Sequence, residues 1–244
     1  MLQLVRRDFT QRYVGSAAGW LWGVIHPLVL LGSYYFVFGV CLKNPTKNYP
    51  LVLITGMLPW LLFNETVTRS ASSLVEQANL ITKTVFPAEI IPLAIFISSL
   101  LSHLIAVSLV LVAASVYLGR VNAGILLLPV FMFLLGLFAV GIGWIASSLQ
   151  VYLRDTAQLL TVALIFWFWV TPIFIPETSF PPKVRFLIAL NPLAYIVRPY
   201  QKMLMGSGFP VWRDLAIAAF VCGGTFFVGG MFFRYIKRGF ADVL

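Results

Sequence analysis

Few side chains in this sequence have the type and spacing that catalysis requires. The 244-residue chain has 8 Asp and Glu residues in total and 2 His, His26 and His103, which stand far apart. Its carboxylates are scattered, whereas an enzyme that holds a divalent metal on a diphosphate needs them paired or clustered. Each His is better explained by a hydrogen bond inside a helix bundle than by a metal. We therefore expect neither an enzyme nor a metal site.

Nucleotide chemistry is also missing from the sequence. No G-x-x-x-x-G-K-[ST] phosphate loop occurs in it, and that loop is the usual cradle for the phosphates of ATP. We expect this chain to bind no cofactor of its own. Any domain that supplies energy must then be another chain.

Two pairs of charged residues have a spacing that suggests a role. Glu65 falls near the end of an apolar run and Arg69 follows four residues later, so a local helix ion pair explains both, with a substrate contact as the alternative. Arg154 and Asp155 are adjacent between two apolar runs. They are either a solvated helix end or a contact for a cytoplasmic subunit.

Aromatic residues make up 15% of the chain and many of them cluster. Aromatic faces in a transport pathway would suit sugar rings, whose C–H faces stack on them, but simple lipid contact and interfacial belts are the alternative. The candidate pathway residues are Tyr34, Tyr35, Trp60, Phe63, Phe166, Trp167 and Trp169.

The composition indicates a membrane protein. The chain is 60% hydrophobic and only 10% charged, with a mean hydropathy of +0.94, which is too little polar surface for a soluble fold. Its net charge of +9 comes from basic residues between apolar runs. Such residues fix topology and contact anionic lipid, so nucleic acid is not an expected partner.

Apolar runs predict an all-α integral membrane protein with six transmembrane helices in a single domain, residues 1–244. The expected spans are Leu21–Cys41, Leu51–Val67, Ile90–Leu118, Ala123–Leu149, Leu159–Ile175 and Leu215–Ile236. An even number of spans puts both termini on one side. The basic clusters near both termini indicate that this side is the cytoplasm.

Residues 1–19 and 176–212 are expected to lie at the two membrane interfaces. In the first, Leu2, Val5, Phe9 and Tyr13 recur at helical spacing, which predicts an amphipathic helix at the cytoplasmic interface. The second contains short apolar pieces interrupted at Asn191-Pro192 and Arg198-Pro199. It is either a loop resting on headgroups or a pair of short interfacial or re-entrant helices over the outer mouth of a pathway.

Four stretches of the sequence resemble the membrane subunits of ABC-type polysaccharide and polyol-phosphate exporters. They follow the family's order along nearly the whole chain. The matching residues are Arg7, Asp8, Phe9, Arg12, Tyr13, Ser16, Gly19, Trp22 and Pro27, then Asn79 to Lys83 with Phe86 and Pro87, then Tyr152 to Asp155 with Thr171 to Ile173, and finally Leu190 to Leu193 with Tyr195.

The resemblance implies a half-transporter of the bacterial inner membrane. Two copies of this subunit would pair with two copies of a separate ABC ATPase, which binds ATP and Mg. The cargo would be an undecaprenyl-diphosphate-linked glycan of the O-antigen type, or a teichoic acid, moved outward from the cytoplasm.

The resemblance also assigns roles to two segments. Residues 69–89 would be the cytoplasmic segment that couples to the ATPase, and residues 176–212 would form the outer gate. The coupling residues would be Asn79, Leu80, Ile81, Thr82, Lys83, Phe86 and Pro87, with Arg154 and Asp155 beside them. The gate residues would be Asn191, Pro192, Tyr195, Arg198 and Tyr200.

Other functions remain open from the sequence. A permease for a drug or a small lipid shares the six-span layout. An ion-driven secondary transporter would need more spans, internal repeats or buried ionisable residues at the midplane, none of which is apparent. A membrane-embedded enzyme lacks the clustered carboxylates noted above.

Overall fold

The structure is a computed structural model that describes residues 4–5, 21–43, 46, 48–83, 86–119, 122–174, 177 and 180–243. The described chain is helical and contains no strand. Its α-helices are α1 (Trp22–Tyr34), α2 (Tyr49–Glu76), α3 (Ala78–Lys83), α4 (Ile90–Leu118), α5 (Leu128–Tyr152), α6 (Thr156–Val170), α7 (Arg185–Leu190), α8 (Ala194–Leu204), α9 (Trp212–Ile236) and α10 (Phe240–Val243). The amphipathic helix expected over residues 1–19 lies outside the described residues, apart from Leu4 and Val5.

Four helical stretches of the described chain are long and apolar enough to cross a membrane. They are Tyr49–Glu76, Ile90–Leu118, Ala123–Tyr152 and Trp212–Gly239. The apolar helices Leu28–Cys41 and Thr156–Val170 are shorter. α6, with 15 residues, is about 22 Å long, against about 30 Å for the hydrocarbon core. The count of six spans therefore stays a prediction for α1 and α6.

A proline explains why α6 is shorter than the predicted span. The expected span ends at Ile175, but the helix ends at Val170 and Thr171 is extended, with ψ of 130°. Pro172 follows Thr171, and a residue before proline is driven out of the α region by its ring. Apolar residues continue for several positions beyond the helix. The hydropathy pattern alone therefore does not reveal where the helix ends.

The second helix is longer than the expected span Leu51–Val67. α2 continues to Glu76, so that only residues 77–89 of the proposed coupling segment lie beyond it. The serines in its last turns do not break the helix. The Ser73 hydroxyl donates to the carbonyl oxygen of Ser70 at 2.7 Å, and Ser73 and Leu74 are buried against the bundle.

The bundle is organised around α5, whose most extensive contacts are with α9 and α2. The approach to α9 is close because two glycines meet. A Cβ atom on Gly229 would overlap the carbonyl oxygen of Gly141 and lie 2.9 Å from its Cα. A Cβ on Gly141 would lie 2.7 Å from the carbonyl oxygen of Thr225. Only glycine lets the two backbones touch in this way.

The buried residues in the described part of the chain form two hydrophobic cores. The larger one runs along α2, α5 and α8 and includes the fully buried Phe63, Phe131 and Tyr200. A second core, here called the α3-end core, lies where α2, α5 and α9 end and α4 begins. It consists of Leu74, Ala88, Ile91, Ile95, Val151, Phe233 and Phe240. This core joins segments that are far apart in sequence at one end of the bundle.

Candidate functional site

The aromatic residues predicted to line a pathway fall into two groups in the structure. Trp60 and Phe63 are buried in the larger core. The ring of Phe63 stacks on Phe138 at 5.3 Å and meets the edge of Trp167 at 5.4 Å. Rings packed at these distances stabilise the bundle and leave no space for a sugar between them. Contact with a cargo would require this part of the core to open.

The remaining members lie toward the surface. Tyr34 is half-buried and its ring is 4.7 Å from that of Phe174. Tyr35, Phe166 and Trp169 are 40%, 68% and 50% exposed. A chain passing beside one copy of this protein could therefore meet these three rings without any change in the core.

Asn191 joins the end of α6 to the corner between α7 and α8. Its side-chain oxygen accepts hydrogen bonds from Trp167 Nε1 at 2.8 Å and from the backbone N–H of Leu193 at 3.0 Å. Its amide nitrogen donates to Thr171 Oγ1 at 2.9 Å. Asn191 is buried, so these bonds satisfy a polar group that would otherwise be costly. The predicted gate residue is thus the structural joint of this corner.

The two short helices beside this joint differ in their surroundings. α7 is mostly exposed, with Ile188 as its buried residue. α8 is buried along most of its length and packs against α2, α9 and α5. Gln201 donates from Nε2 to the carbonyl oxygen of Val52 on α2 at 3.2 Å, and the Tyr200 hydroxyl lies 3.3 Å from His103 Nε2 on α4. α8 is therefore inserted into the bundle rather than laid across it.

The break expected at Arg198-Pro199 is wrong, because α8 runs through Pro199 without interruption. Proline within a helix removes one backbone hydrogen bond and costs about 3 kcal/mol. Burial of the neighbouring Ile196, Val197 and Tyr200 offsets this cost through packing. The break at Asn191-Pro192 does occur, between Leu190 and Ala194.

Arg198 is held by acidic residues on two other segments. One guanidinium nitrogen pairs with Glu177, and another lies 3.4 Å from Asp214 Oδ1 at the start of α9. Its guanidinium also lies 4.8 Å from the centre of the Tyr195 ring. These contacts tie α8 to the segment before α7 and to α9. Any interaction of Arg198 with an anionic cargo would compete with them.

Among the described residues of the proposed coupling segment, some side chains are exposed and others pack against the bundle. Asn79, Thr82 and Pro87 are exposed. Ile81 and Phe86 are partly buried and pack against the α3-end core. Leu80 is also partly buried, and Lys83 is the last residue of α3. A displacement of this segment would therefore reach the core directly through two side chains.

The turn between α5 and α6 lies at the same end of the bundle. Arg154 and Asp155 are exposed there. Gln150 clamps the turn, because Nε2 donates to the Arg154 carbonyl oxygen and Oε1 accepts from the Ala157 N–H, both at 2.7 Å. The neighbouring Val151 belongs to the α3-end core. Both parts of the predicted coupling site thus border one core.

Glu65 and Arg69 form the ion pair expected from their spacing. Arg69 Nη1 lies 3.7 Å from Glu65 Oε1, and Ser99 Oγ on α4 donates to the same oxygen at 3.2 Å. Glu65 also borders a cavity of about 170 Å³ that is otherwise lined mainly by aliphatic side chains of α1, α2 and α4. A cavity of this size holds one small ring and not a glycan chain.

Sequence reasoning missed a contact between the start of α4 and the end of α9. Lys237 Nζ donates to both carboxylate oxygens of Glu89 at 2.9 Å, and Trp144 Nε1 donates to the Glu89 carbonyl oxygen at 3.0 Å. Burial opposes ionisation of Glu89, yet the bonds to Lys237 and the charges of Lys237 and Arg234 hold its pKa below the usual value. The partners are 148 residues apart, so no local pattern could reveal them.

Among the residues that the structure describes, no group of three or more His, Cys, Asp or Glu could hold a metal ion. His103 instead faces the Tyr200 hydroxyl, and Cys222 is buried in α9.

Comparison with known proteins places these features in a family. The profile of the ABC-2 type transporter family matches residues 1–205. The chain is 30% identical to the O-antigen export system permease protein RfbA of Klebsiella pneumoniae, over 100% of this chain and 94% of that protein. It is 26% identical to RfbA of Myxococcus xanthus, over 99% and 94%. It is 23% identical to the polysialic acid transport protein KpsM of Escherichia coli, over 95% and 91%. Together with its long apolar helices, this match establishes that the chain is a multi-pass membrane protein that belongs to the ABC-2 type transporter family.

Proposed function

We propose that this chain is the permease subunit of an ATP-driven exporter that moves a lipid-linked polysaccharide out of the cytoplasm across the inner membrane. The observation that carries the proposal is the likeness along the whole chain to permeases named for O-antigen export and polysialic acid transport. These names share a polysaccharide cargo. An O-antigen-type glycan on undecaprenyl diphosphate is the favoured cargo, ahead of a teichoic acid.

The working unit in this proposal contains two copies of the chain and two copies of a separate ABC ATPase, which binds ATP and Mg. The chain itself has no phosphate loop, which supports a separate ATPase. We place the termini and residues 77–89 in the cytoplasm, with six spans in total. The exposed Asn79, Thr82 and Pro87 then face the ATPase, together with Arg154 and Asp155.

The cargo path in this proposal runs between the two copies. The interior of one copy is filled by packed rings such as Trp60 and Phe63. The cavity of about 170 Å³ beside Glu65 is too small to hold a glycan chain. The exposed rings of Tyr35, Phe166 and Trp169 would stack on passing sugars. The exposed α7 would cover the outer exit, and α8 would anchor it to the bundle.

The first test deletes the gene for this chain from its host cell and restores the gene on a plasmid. Loss of polysaccharide from the cell surface, with polymer retained inside on its lipid carrier, is the expected result. Normal surface polysaccharide in the absence of the chain would refute this cargo and leave a drug or small lipid as the alternative. Purification of the tagged chain should also recover a separate ATPase subunit.

A matched pair of substitutions tests the path. Phe166→Ala should lower export without lowering the amount of protein in the membrane. Phe220→Ala is the control, because Phe220 is an equally apolar ring on α9 with 84% of its surface exposed. Equal export by both variants would remove Phe166 from the path.

A further inference from the structure

The end of α9 is attached to the proposed coupling segment by a set of contacts at the α3-end core. Glu89 lies directly before α4, and Lys237 follows directly after α9 in the short 3₁₀ turn Lys237–Gly239. Both oxygens of the Glu89 carboxylate accept from the same Lys237 ammonium at 2.9 Å. A charge-assisted contact of this kind is stronger than a bond between neutral groups. It fixes the end of the coupling segment to the end of α9.

Trp144 adds α5 to this connection. Its indole nitrogen donates to the backbone carbonyl of Glu89 at 3.0 Å. Its ring lies 4.8 Å from Phe226 and 6.3 Å from Phe233, both on α9. One side chain of α5 therefore contacts the coupling segment by a hydrogen bond and α9 by its ring.

A second set of contacts joins the segment after α9 to the end of α5. The Tyr152 hydroxyl at the end of α5 donates to the Ile236 carbonyl oxygen at 3.1 Å. Phe240 in α10 packs edge-on against Phe233 at 5.5 Å, and both are fully buried. A Cβ on Gly239 would lie 2.5 Å from the Tyr152 hydroxyl oxygen, so the chain passes closely over this tyrosine. The segment after α9 is thus held against α5 by polar and apolar contacts.

These contacts matter because α9 is otherwise a peripheral helix. Only 17% of its most apolar stretch is buried inside the bundle, and its main neighbour is α5. A movement of residues 77–89 can reach α9 either through α5 or through the Glu89–Lys237 contact. Ile81 and Phe86 on the coupling segment pack against the same core, so the segment and the end of α9 can move together as one body.

We propose that Glu89, Lys237 and Trp144 are positioning residues that hold the coupling segment to the ends of α5 and α9, so that displacement of the segment by the ATPase is passed to these helices. This inference rests on the proposed function, because it assumes that an ATPase docks on residues 77–89. It assigns to Lys237 a mechanical role in addition to the effect of its charge on topology.

The test uses the full chain purified with its ATPase subunit, and cells that depend on it for export. Lys237→Met removes the contact while keeping an apolar stem of similar length. We expect the complex to retain its ATPase subunit and its ATP hydrolysis, while export falls by about threefold or more, in the range of coupling between residues that share a network. A merely structural role would instead lower the amount of complex, and hydrolysis and export together.

Arg238→Met is the matched control, because Arg238 is the next residue, carries the same charge and is exposed. It should leave all three measurements unchanged. Lys237→Arg and the exchange Glu89→Lys with Lys237→Glu should each restore export. If Lys237→Met protein is too unstable to purify, the exchange variant compared with Glu89→Lys alone gives the same test.

Unchanged export by Lys237→Met, an equal loss for Arg238→Met, or a parallel fall in hydrolysis and export would each overturn the inference. Loss of the ATPase subunit from the Lys237→Met complex would also overturn it, since Lys237 would then serve docking. If the unsubstituted chain recovers no ATPase subunit, the proposed function fails, and this inference fails with it. The outcomes of the unsubstituted chain and of the variant therefore separate the two failures.

Discussion

Replacing Gly229 by valine should destabilise the bundle by forcing α5 and α9 apart. A Cβ atom at this position would overlap the Gly141 carbonyl oxygen and lie 2.9 Å from Gly141 Cα. Both are backbone atoms, so no side chain can rotate away. The helices must separate or bend before valine fits.

The cost follows from overpacking and from the packing lost when the helices separate. Overpacked cores lose about 1–3 kcal/mol, and a rigid backbone on the other side puts valine at the upper part of that range. Valine is a slightly better helix former than glycine, which returns about 0.3 kcal/mol. The net loss should be about 2–3 kcal/mol, or about 4–12 °C in the unfolding temperature of a chain of this size.

The assay is thermal unfolding of the purified chain in detergent, followed by the loss of the monodisperse peak in size-exclusion chromatography. Gly224→Val is the control on the same helix, because a Cβ at Gly224 meets nothing within 4 Å. It should change stability by no more than about 0.5 kcal/mol.

A double substitution sharpens the test. Gly141→Val should destabilise for the same reason, since its Cβ would lie 2.7 Å from the Thr225 carbonyl oxygen. Once one valine has separated the helices, the second should cost less, so the pair should be less than additive. Additive effects, or equal unfolding temperatures for Gly229→Val and Gly224→Val, would refute a glycine-mediated contact between α5 and α9.

Three other predictions concern the remaining joints. Asn191→Ala should destabilise by about 1–3 kcal/mol because the Trp167 indole and the Leu193 N–H lose their buried acceptor; unchanged thermal unfolding would contradict this. A double-mutant cycle on thermal stability with Glu65→Gln and Arg69→Gln should give a coupling of about 0.2–0.5 kcal/mol, as for helix pairs four residues apart. Zero coupling would show that the 3.7 Å contact does not stabilise the protein. With Cys41 and Cys222 replaced, a cysteine at Leu190, which is 73% exposed, should react with an impermeant thiol reagent added outside the cell, whereas a cysteine at the buried Ala194 should not; labelling of Leu190→Cys from the cytoplasmic side alone would reverse the proposed topology.

The sequence by itself identified the class of this protein and its family. A charged fraction of 10% with 60% hydrophobic residues excludes a soluble fold whatever the arrangement of the helices, since it is a property of the total surface. The corner at Asn191-Pro192 was also predictable, because proline acts on its own backbone and on the residue before it. The ion pair of Glu65 and Arg69 was predictable because residues four apart are neighbours on the surface of a helix.

Helix ends were less predictable, because hydropathy and backbone conformation are different properties. Pro172 ends α6 although the apolar run continues. α2 continues through the serines near Ser73, although such polar residues are common in loops. Pro199 lies inside α8 because packing of that helix outweighs the local preference of proline.

Only the tertiary structure decided which aromatic rings are packed and which are exposed. Trp60 and Phe166 look alike in the sequence, yet one is 5% and the other 68% exposed, since burial depends on neighbours from other helices. The same holds for Lys237, which topology rules count as one more basic residue. Its partner Glu89 is 148 residues away, and a distance between such remote residues is set by how the helices pack, which no local pattern of residues encodes.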